Sequence, residues 1–260
     1  MMTTKPKVGF FDLTGCQGCL LSILFNEDEL LDILNLIDAK VFRFAMSETT
    51  DEPLDIAFVE GTVVSKDDEE MIKKIRNKSK ILIALGTCAC EGCIPAMRNF
   101  IDEKELEPLK YKKKNLQQED IGKPKPIGYF VKTEYSLPGC PPDREEIKRF
   151  IKEILLGKKY RNCSDPVCIE CRLNNNGCLI DEGQICLGPI TAGGCNAVCP
   201  TAGFRCYGCR GLNENAQIET YLDLMESKGI EPYQIKKMME TFMALSINEK
   251  LRDTKWEKLH

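Results

Sequence analysis

The chain has 260 residues, 43% of them apolar and 29% charged, with a formal net charge of −4, which suits one large or two small globular domains and argues against a nucleic-acid-binding protein. No apolar run approaches the roughly 20 residues needed to span a bilayer. There are 15 cysteines and a single histidine, His260, so histidine triads, two-histidine zinc sites, Rieske centres and histidine proton shuttles are excluded, and any metal chemistry must be sulfur chemistry.

The start, Met1 to Pro6, has no secretory pattern, so a cytoplasmic location is expected, where fifteen thiols read as metal ligands rather than disulfides. Lys7–Leu13 reads as a buried strand, and Leu20–Ile37 carries apolar residues mostly at helical spacing. Val41–Phe44 and Ile56–Glu60 read as strands. Asp67–Arg76 reads as a helix with an acidic first turn and a basic last turn. Ile81–Leu85 is a further buried strand, Ile127–Val131 a weaker one, and Asp143–Leu156 a helix opened by Asp143. The run Lys110-Tyr111-Lys112-Lys113-Lys114 reads as a solvated loop. Alternation of strands and helices implies a parallel sheet covered on both faces.

Residues 163–211 differ sharply. They hold 9 cysteines, many Gly and Asn, and few large apolar side chains, too little to fold on a core of their own without staples. Ile218–Met225 and Tyr233–Leu245 return to a helical pattern. The expected division is 1–158, 159–213 and 214–260.

The cysteines of the first region follow strands. Cys16 and Cys19 form a C-x-x-C after the first strand, Cys88 follows Ile81–Leu85, and Cys140 follows Ile127–Val131. Ligands of open parallel sheets bind at the carboxyl ends of the strands, so four thiolates from distant positions can converge there, as zinc or an iron–sulfur cluster requires. Burial as small apolar side chains is the alternative.

Gly15-Cys16-Gln17-Gly18-Cys19, Phe58-Val59-Glu60-Gly61, Gly86-Thr87-Cys88-Ala89 and Leu137-Pro138-Gly139-Cys140-Pro141-Pro142 resemble the four signatures of the small subunit of [NiFe] hydrogenases. Ile94-Pro95-Ala96-Met97-Arg98-Asn99 is similar to the cytoplasmic multi-subunit branch. The resemblance implies a flavodoxin-like domain on which Cys16, Cys19, Cys88 and Cys140 hold a proximal [4Fe–4S] cluster. That cluster would face a nickel–iron site on a separate large subunit, with Glu60 as an acidic side chain beside it; otherwise Glu60 is a strand-end carboxylate capping the next segment. Cys90 and Cys93 depart from the commoner pattern. Cys93 has the spacing of an extra cysteine in oxygen-tolerant relatives, but their other extra cysteine falls at Gly18, so both are expected to be non-ligands.

Cys168, Cys171, Cys178, Cys186, Cys195, Cys199, Cys206 and Cys209 are enough for two further [4Fe–4S] clusters, with Cys199-Pro200 similar to ferredoxins; zinc ribbons are the rival. Order alone does not divide the eight between two clusters, and Cys163 has no evident partner. The segment from Pro166 to Gly211 resembles the C-terminal part of the same hydrogenases, which implies a small ferredoxin-like domain followed by a helical tail.

The expectation is therefore an electron-transfer subunit with three [4Fe–4S] clusters and no catalytic residue of its own. Its partners would be the nickel–iron large subunit and a flavin- or iron–sulfur-containing acceptor subunit, with no nucleic acid and no membrane insertion. Two rivals stand beside it. One is the iron–sulfur subunit of a complex-I-like quinone oxidoreductase, which usually has adjacent cysteines where this chain has Gly18-Cys19 and lacks the eight-cysteine segment. The other is a zinc-stapled interaction module.

Overall fold

The structure, a computed structural model, describes residues 5–25, 30–47, 50–102, 104, 120–257 and 259. The lysine run at 110–114 and His260 lie outside the described residues. Strand β1 is Lys7–Asp12, followed by helices α1 (Gly18–Leu24) and α2 (Leu30–Leu36) and strand β2 (Asp38–Phe42). Then come β3 (Leu54–Glu60), β4 (Val63–Ser65), α3 (Lys66–Lys78), β5 (Ser79–Leu85), α4 (Gly86–Glu91) and α5 (Cys93–Met97). Strands β6 (Asp120–Lys125) and β7 (Tyr135–Leu137) precede α6 (Arg144–Leu155), α7 (Val167–Leu173), α8 (Val198–Thr201), α9 (Ile218–Ser227) and α10 (Pro232–Lys250).

Five strands form one parallel sheet in the order β2-β1-β3-β5-β7. Counted along the chain this is 2-1-3-4-5, the flavodoxin-like doubly wound order. The central strand β3 is buried along nearly its whole length because helices cover both faces, which is why its sequence is almost continuously apolar. Alternate residues part to opposite sides. Phe10, Phe58, Ile83 and Leu85 pack with Leu20 and Ile23 of α1 and Ile147 and Phe150 of α6. Ala57, Val59, Leu82 and Ala84 pack with Ile72 and Ile75 of α3 and Ala89 of α4. On the first face an aromatic chain runs Phe42–Phe10–Phe58–Phe150–Tyr160, with centroid distances of 4.5, 5.1, 5.9 and 4.9 Å. Each such pair adds about 0.5–1.5 kcal/mol to area burial.

The helices start where their sequences cap them. Ser65 and Asp68 form a reciprocal capping box on α3, and the Asp143 carboxylate accepts the Glu146 N–H at the start of α6.

Two strand expectations need correction. Val41–Phe44 is displaced: the strand is Asp38–Phe42, and Arg43 to Ala45 turn away. Ile127–Val131 is not a strand; Ile127–Tyr129 is a 3-10 turn entered from Pro126. The fifth strand is the short Tyr135–Leu137, which pairs with Ile83 to Leu85. Cys140 thus still leaves a strand's carboxyl end, but that of β7. The small antiparallel pair β4–β6 has no counterpart among the strands expected from sequence.

Residues 163–211 are turns around α7, α8 and the 3-10 turn Gly188–Ile190. Their apolar side chains do not stand alone. Val167, Leu187 and Ile190 share a core with Leu222 and Met225 of α9, with Met239, Met243 and Ile247 of α10, and with Trp256. Helix α10 also packs along α5 and α4, so the C-terminal helices wedge the cysteine-rich segment against the sheet domain.

Candidate iron–sulfur site

The first set of cysteines gathers above the carboxyl ends of β1, β3, β5 and β7. The register places Asp12, Glu60 and Leu85 side by side; Cys16 and Cys19 lie beyond Asp12, Cys88 beyond Leu85 and Cys140 beyond Leu137. Cys16 is exposed and Cys19 is buried in the first turn of α1, after Gln17 in the left-handed region (φ 63°). Gly86 (φ +82°) opens α4, and a Cβ there would overlap Cys19 Sγ. Glycine is what lets a loop pass so close to a sulfur. Thr87 ties this end together: its hydroxyl donates to the Cys209 carbonyl and accepts from Gly139 N–H at 2.9 Å, and its own N–H bonds the Gly139 carbonyl at 3.0 Å.

Glu60 is buried, at 2% exposure. Its Oε2 accepts the Leu20 N–H at 2.9 Å. Its Oε1 is buried with no hydrogen-bond partner among the described residues, and the carboxyl group lies beside the Cys19 thiol. Burial raises the carboxyl's pKa, opposed by the N–H of Leu20. The Cys19 thiol is pushed up by burial, then by Glu60, Cys88 and Cys140. Three thiols, Cys19, Cys88 and Cys140, and the acid Glu60 repel one another in their ionised forms, a donor set that suits a cationic metal centre.

Cys93 joins this set. Gly92 (φ 84°) and Cys93 (φ 47°) are both left-handed between α4 and α5. That break turns the fully buried Cys93 thiol back onto Cys88 and Cys140, whose pKa values its hydrogen bonds lower, that of Cys140 to about 7 against the effect of burial. Cys90 points elsewhere: its Sγ reaches the Ala84 carbonyl at 3.5 Å and packs in the core of the α3 face. Cys90 and Cys163 both line a cavity of about 620 Å³ between the β5–α4 end of the sheet and the Arg161–Ser164 and Gly193 loops.

Seven of the eight C-terminal cysteines lie around Cys168 or around Cys209, and Cys206 adjoins both neighbourhoods. Cys168 and Cys171 lie on α7. The Cys168 thiol is pushed up to about 12 by burial and then by Cys186, Cys171 and Cys178. A Cβ on Gly188 would come within 3.1 Å of Cys168 Sγ and 3.7 Å of Cys186 Sγ. The other neighbourhood is around Cys209, raised by burial and by Cys199 and Cys140 and opposed by the Cys140 backbone N–H. Cys195, pushed up to about 11 by burial and Glu170, also faces Cys209. Cys206, pushed up to about 12 mainly by burial, is near both Cys186 and Cys209, and its N–H bonds Cys186 Sγ at 3.3 Å. Glu170, between Cys168 and Cys171, accepts N–H bonds from Gly194 (2.5 Å) and Ala197 (3.2 Å), fastening the Cys195 loop to α7. Glu170 carries no sequence signal, since its partners Gly194 and Ala197 lie far along the chain; Cys93, expected from its spacing to be a non-ligand, lies against Cys88 and Cys140. Among the described residues no group of three or more His, Cys, Asp or Glu side chains is arranged to hold a single metal ion.

Residues 16–154 match the family described as NADH ubiquinone oxidoreductase, 20 kDa subunit. The chain is 37% identical over 238 residues to subunit delta of sulfhydrogenase 2 from Pyrococcus furiosus, covering 91% of this chain and 98% of that one. It is 36% identical to a subunit of the vhu F420-non-reducing hydrogenase from Methanocaldococcus jannaschii, over 83% of this chain and 85% of that one. Among solved structures it is similar to a chain of an NAD+-reducing [NiFe]-hydrogenase in the H2-reduced state. There the identity is 28% and the TM-score 0.55, covering 61% of this chain and 95% of that chain.

Proposed function

This chain belongs to the family of [NiFe] hydrogenase small subunits, and on that premise we propose that it is the electron relay of such an enzyme. It is an oxidoreductase subunit whose nickel–iron active site lies on a partner large subunit. It would hold three [4Fe–4S] clusters and hand electrons to a flavin- or iron–sulfur-containing acceptor subunit during reversible H2 oxidation. Such clusters, when bound, accept and release one electron at a time at potentials set by charge, hydrogen bonds to sulfur and solvent exposure.

The observation that carries the reading is the order of the cysteine neighbourhoods. Cys16, Cys19, Cys88 and Cys140 would hold the first cluster, at the sheet edge where Cys16 is exposed. Cys140 adjoins Cys209, so Cys195, Cys199, Cys206 and Cys209 would hold the second. Cys206 adjoins Cys186, so Cys168, Cys171, Cys178 and Cys186 would hold the third. The residues fit such groups: Gly86 and Gly188 leave room where a Cβ would crowd the sulfurs of Cys19 and Cys168, and the Glu60 Oε1 is an orphaned acceptor at the first. The chain's own work is to hold twelve thiolates in line, to keep water from Cys19, Cys186 and Cys206, and to direct backbone N–H groups at sulfur.

The domain division 1–158, 159–213 and 214–260 belongs to this reading, as does the ferredoxin-like character of the middle segment, with the last segment supplying its apolar core. Among the described residues no helix is long and apolar enough to cross a membrane; a cytoplasmic location belongs to the same proposed reading. The family match at 16–154 also keeps the quinone-oxidoreductase reading in view, but it leaves the eight-cysteine segment outside.

The test is metal content of the native complex, purified without oxygen. About twelve irons per copy of this chain, with nickel on the partner, is the expected result. Iron without nickel would move the assignment to the quinone-oxidoreductase class, and zinc in place of iron would overturn the relay.

A further inference from the structure

Arg210 is 2% exposed and follows Cys209 directly in sequence. Its guanidinium touches three separate segments. Nε donates to the Gly193 carbonyl at 2.7 Å, two residues before Cys195. Nη1 donates to the Pro138 carbonyl at 2.9 Å, two residues before Cys140, and to Glu146 Oε2 at 2.6 Å. Nη2 donates to Glu146 Oε1 at 2.9 Å. Glu146, on α6 and equally buried, also accepts from the Tyr160 hydroxyl at 2.8 Å, and Arg149 donates to that hydroxyl at 3.0 Å. Gly194 (φ +111°) has no room for a Cβ because the guanidinium lies against it.

A buried ion pair seldom stabilises a fold more than apolar residues of the same volume would, so its position asks for another reason. The pair sits between the first and second cysteine sets, and every carbonyl it binds belongs to a loop that carries a cysteine of one set or the other. The positive end bears directly on the second set: Arg210 is the residue after Cys209, and its Nε binds the Gly193 carbonyl on the loop that carries Cys195. A fixed cation that favours a thiolate also favours the added electron of an iron–sulfur centre held by that thiolate, and a buried charge is screened little by solvent.

We propose that Arg210 and Glu146 are positioning residues that set the electron affinity of the centre held by Cys195, Cys199, Cys206 and Cys209, Arg210 raising it and Glu146 limiting the rise. This rests on the cluster reading above. The charge is fixed by four hydrogen bonds rather than by mobile solvent, and two of them, to the Gly193 and Pro138 carbonyls, fix the loops of Cys195 and Cys140 against each other.

The experiment is an EPR-monitored redox titration of the intact complex, purified without oxygen, with iron per chain measured first. Glu146→Gln keeps an acceptor oxygen for Arg210 but leaves the cation uncompensated. The midpoint potential of the second centre is expected to rise, by about tenfold in the reduced-to-oxidised ratio at fixed poise, or about 59 mV for one electron. The double variant E146Q/R210Q removes both charges and is expected to lower it. Arg210→Lys keeps the sign of the charge and is expected to stay nearer the wild-type potential than the double variant. A purely structural role would lower iron content or broaden the signals without opposite shifts. Unchanged potentials at full iron content in Glu146→Gln, or shifts of the same sign in it and the double variant, would overturn the proposal. If the wild-type complex gives no iron–sulfur signals, the relay itself fails, which is a separate and recognisable result.

Discussion

Gly86 offers the sharpest test of how the first site is built. Its φ of +82° is left-handed, which costs an alanine roughly 1–2 kcal/mol. An alanine Cβ would also overlap Cys19 Sγ. Overpacking in a tight interior costs a further ~1–3 kcal/mol, so Gly86→Ala is expected to lose about 2–5 kcal/mol of stability. The loss is not confined to stability. Cys19 is pinned by α1 on one side and by Glu60 on the other, so the displaced atom is a proposed ligand, and iron per chain is expected to fall by about a third, from about twelve to about eight. The control is Gly128→Ala: a Cβ on that glycine would meet nothing within 4 Å, and its φ is not positive. The assay is anaerobic denaturant unfolding together with iron determination on both variants. Gly86→Ala with full iron and a loss below ~1 kcal/mol would refute the account of the cradle, because the steric argument alone requires more than that.

Three further outcomes are expected. Removing the α3 cap with Ser65→Ala should cost about 1 kcal/mol, seen as a lower denaturation midpoint with unchanged iron; no change would show that the capping box contributes nothing. Phe150→Ala removes the ring that joins Phe58 to Tyr160 in the aromatic chain on the α6 face and should cost about 3–5 kcal/mol; a loss below ~1 kcal/mol would mean that α6 repacks freely. Glu91 carries the pH dependence. Burial pushes its carboxyl up from 4.5 to about 7, against bonds from the Ser246 hydroxyl and the Leu212 N–H. The folded state therefore binds the proton more tightly than the unfolded chain, so this group's contribution is fully present below about pH 4.5 and is lost as pH rises through about 7. Glu91→Gln should flatten that fall, measured as unfolding free energy at several pH values across the window; parallel wild-type and variant curves would refute it.

The sequence is most legible where one physical constraint dominates. Strands β1, β3 and β5 are covered on both faces, so their runs are apolar and read as buried strands. The edge strand β7 is only three residues long and carries Ser136, so it offers no run to read. The more apolar Ile127–Val131 takes its place in the expectation, although Pro126 and Gly128 favour the turn that forms there. The four cysteines of the first set are legible for a topological reason. Doubly wound sheets bring strand ends together whatever the loops between them do, and replacing one expected strand by its neighbour leaves Cys140 at the same edge.

The division of the eight later cysteines is hidden for the opposite reason. No regular sheet fixes residues 163–211, and the contacts that arrange the cysteines join segments at no regular spacing: Glu170 draws the Cys195 loop to α7, and the Cys206 N–H reaches back to Cys186. The same holds for Cys93, which approaches Cys88 only because Gly92 breaks the helix between them. A composition too poor in apolar residues to fold alone also reads differently once α9 and α10 are in place. The metals need not carry the whole segment: Leu187, Ile190 and Val167 are buried against Met225, Met239 and Met243, while Ser246 and Glu91 tie α10 back to α4 at 3.0 Å. The segment that carries the proposed second and third centres is thus backed by the C-terminal helices, and the Arg210–Glu146 pair ties the loop of the second to that of the first. Those contacts are made by the chain's own backbone carbonyls and side chains, so the first and second sets are joined by protein as well as by any metal they would hold.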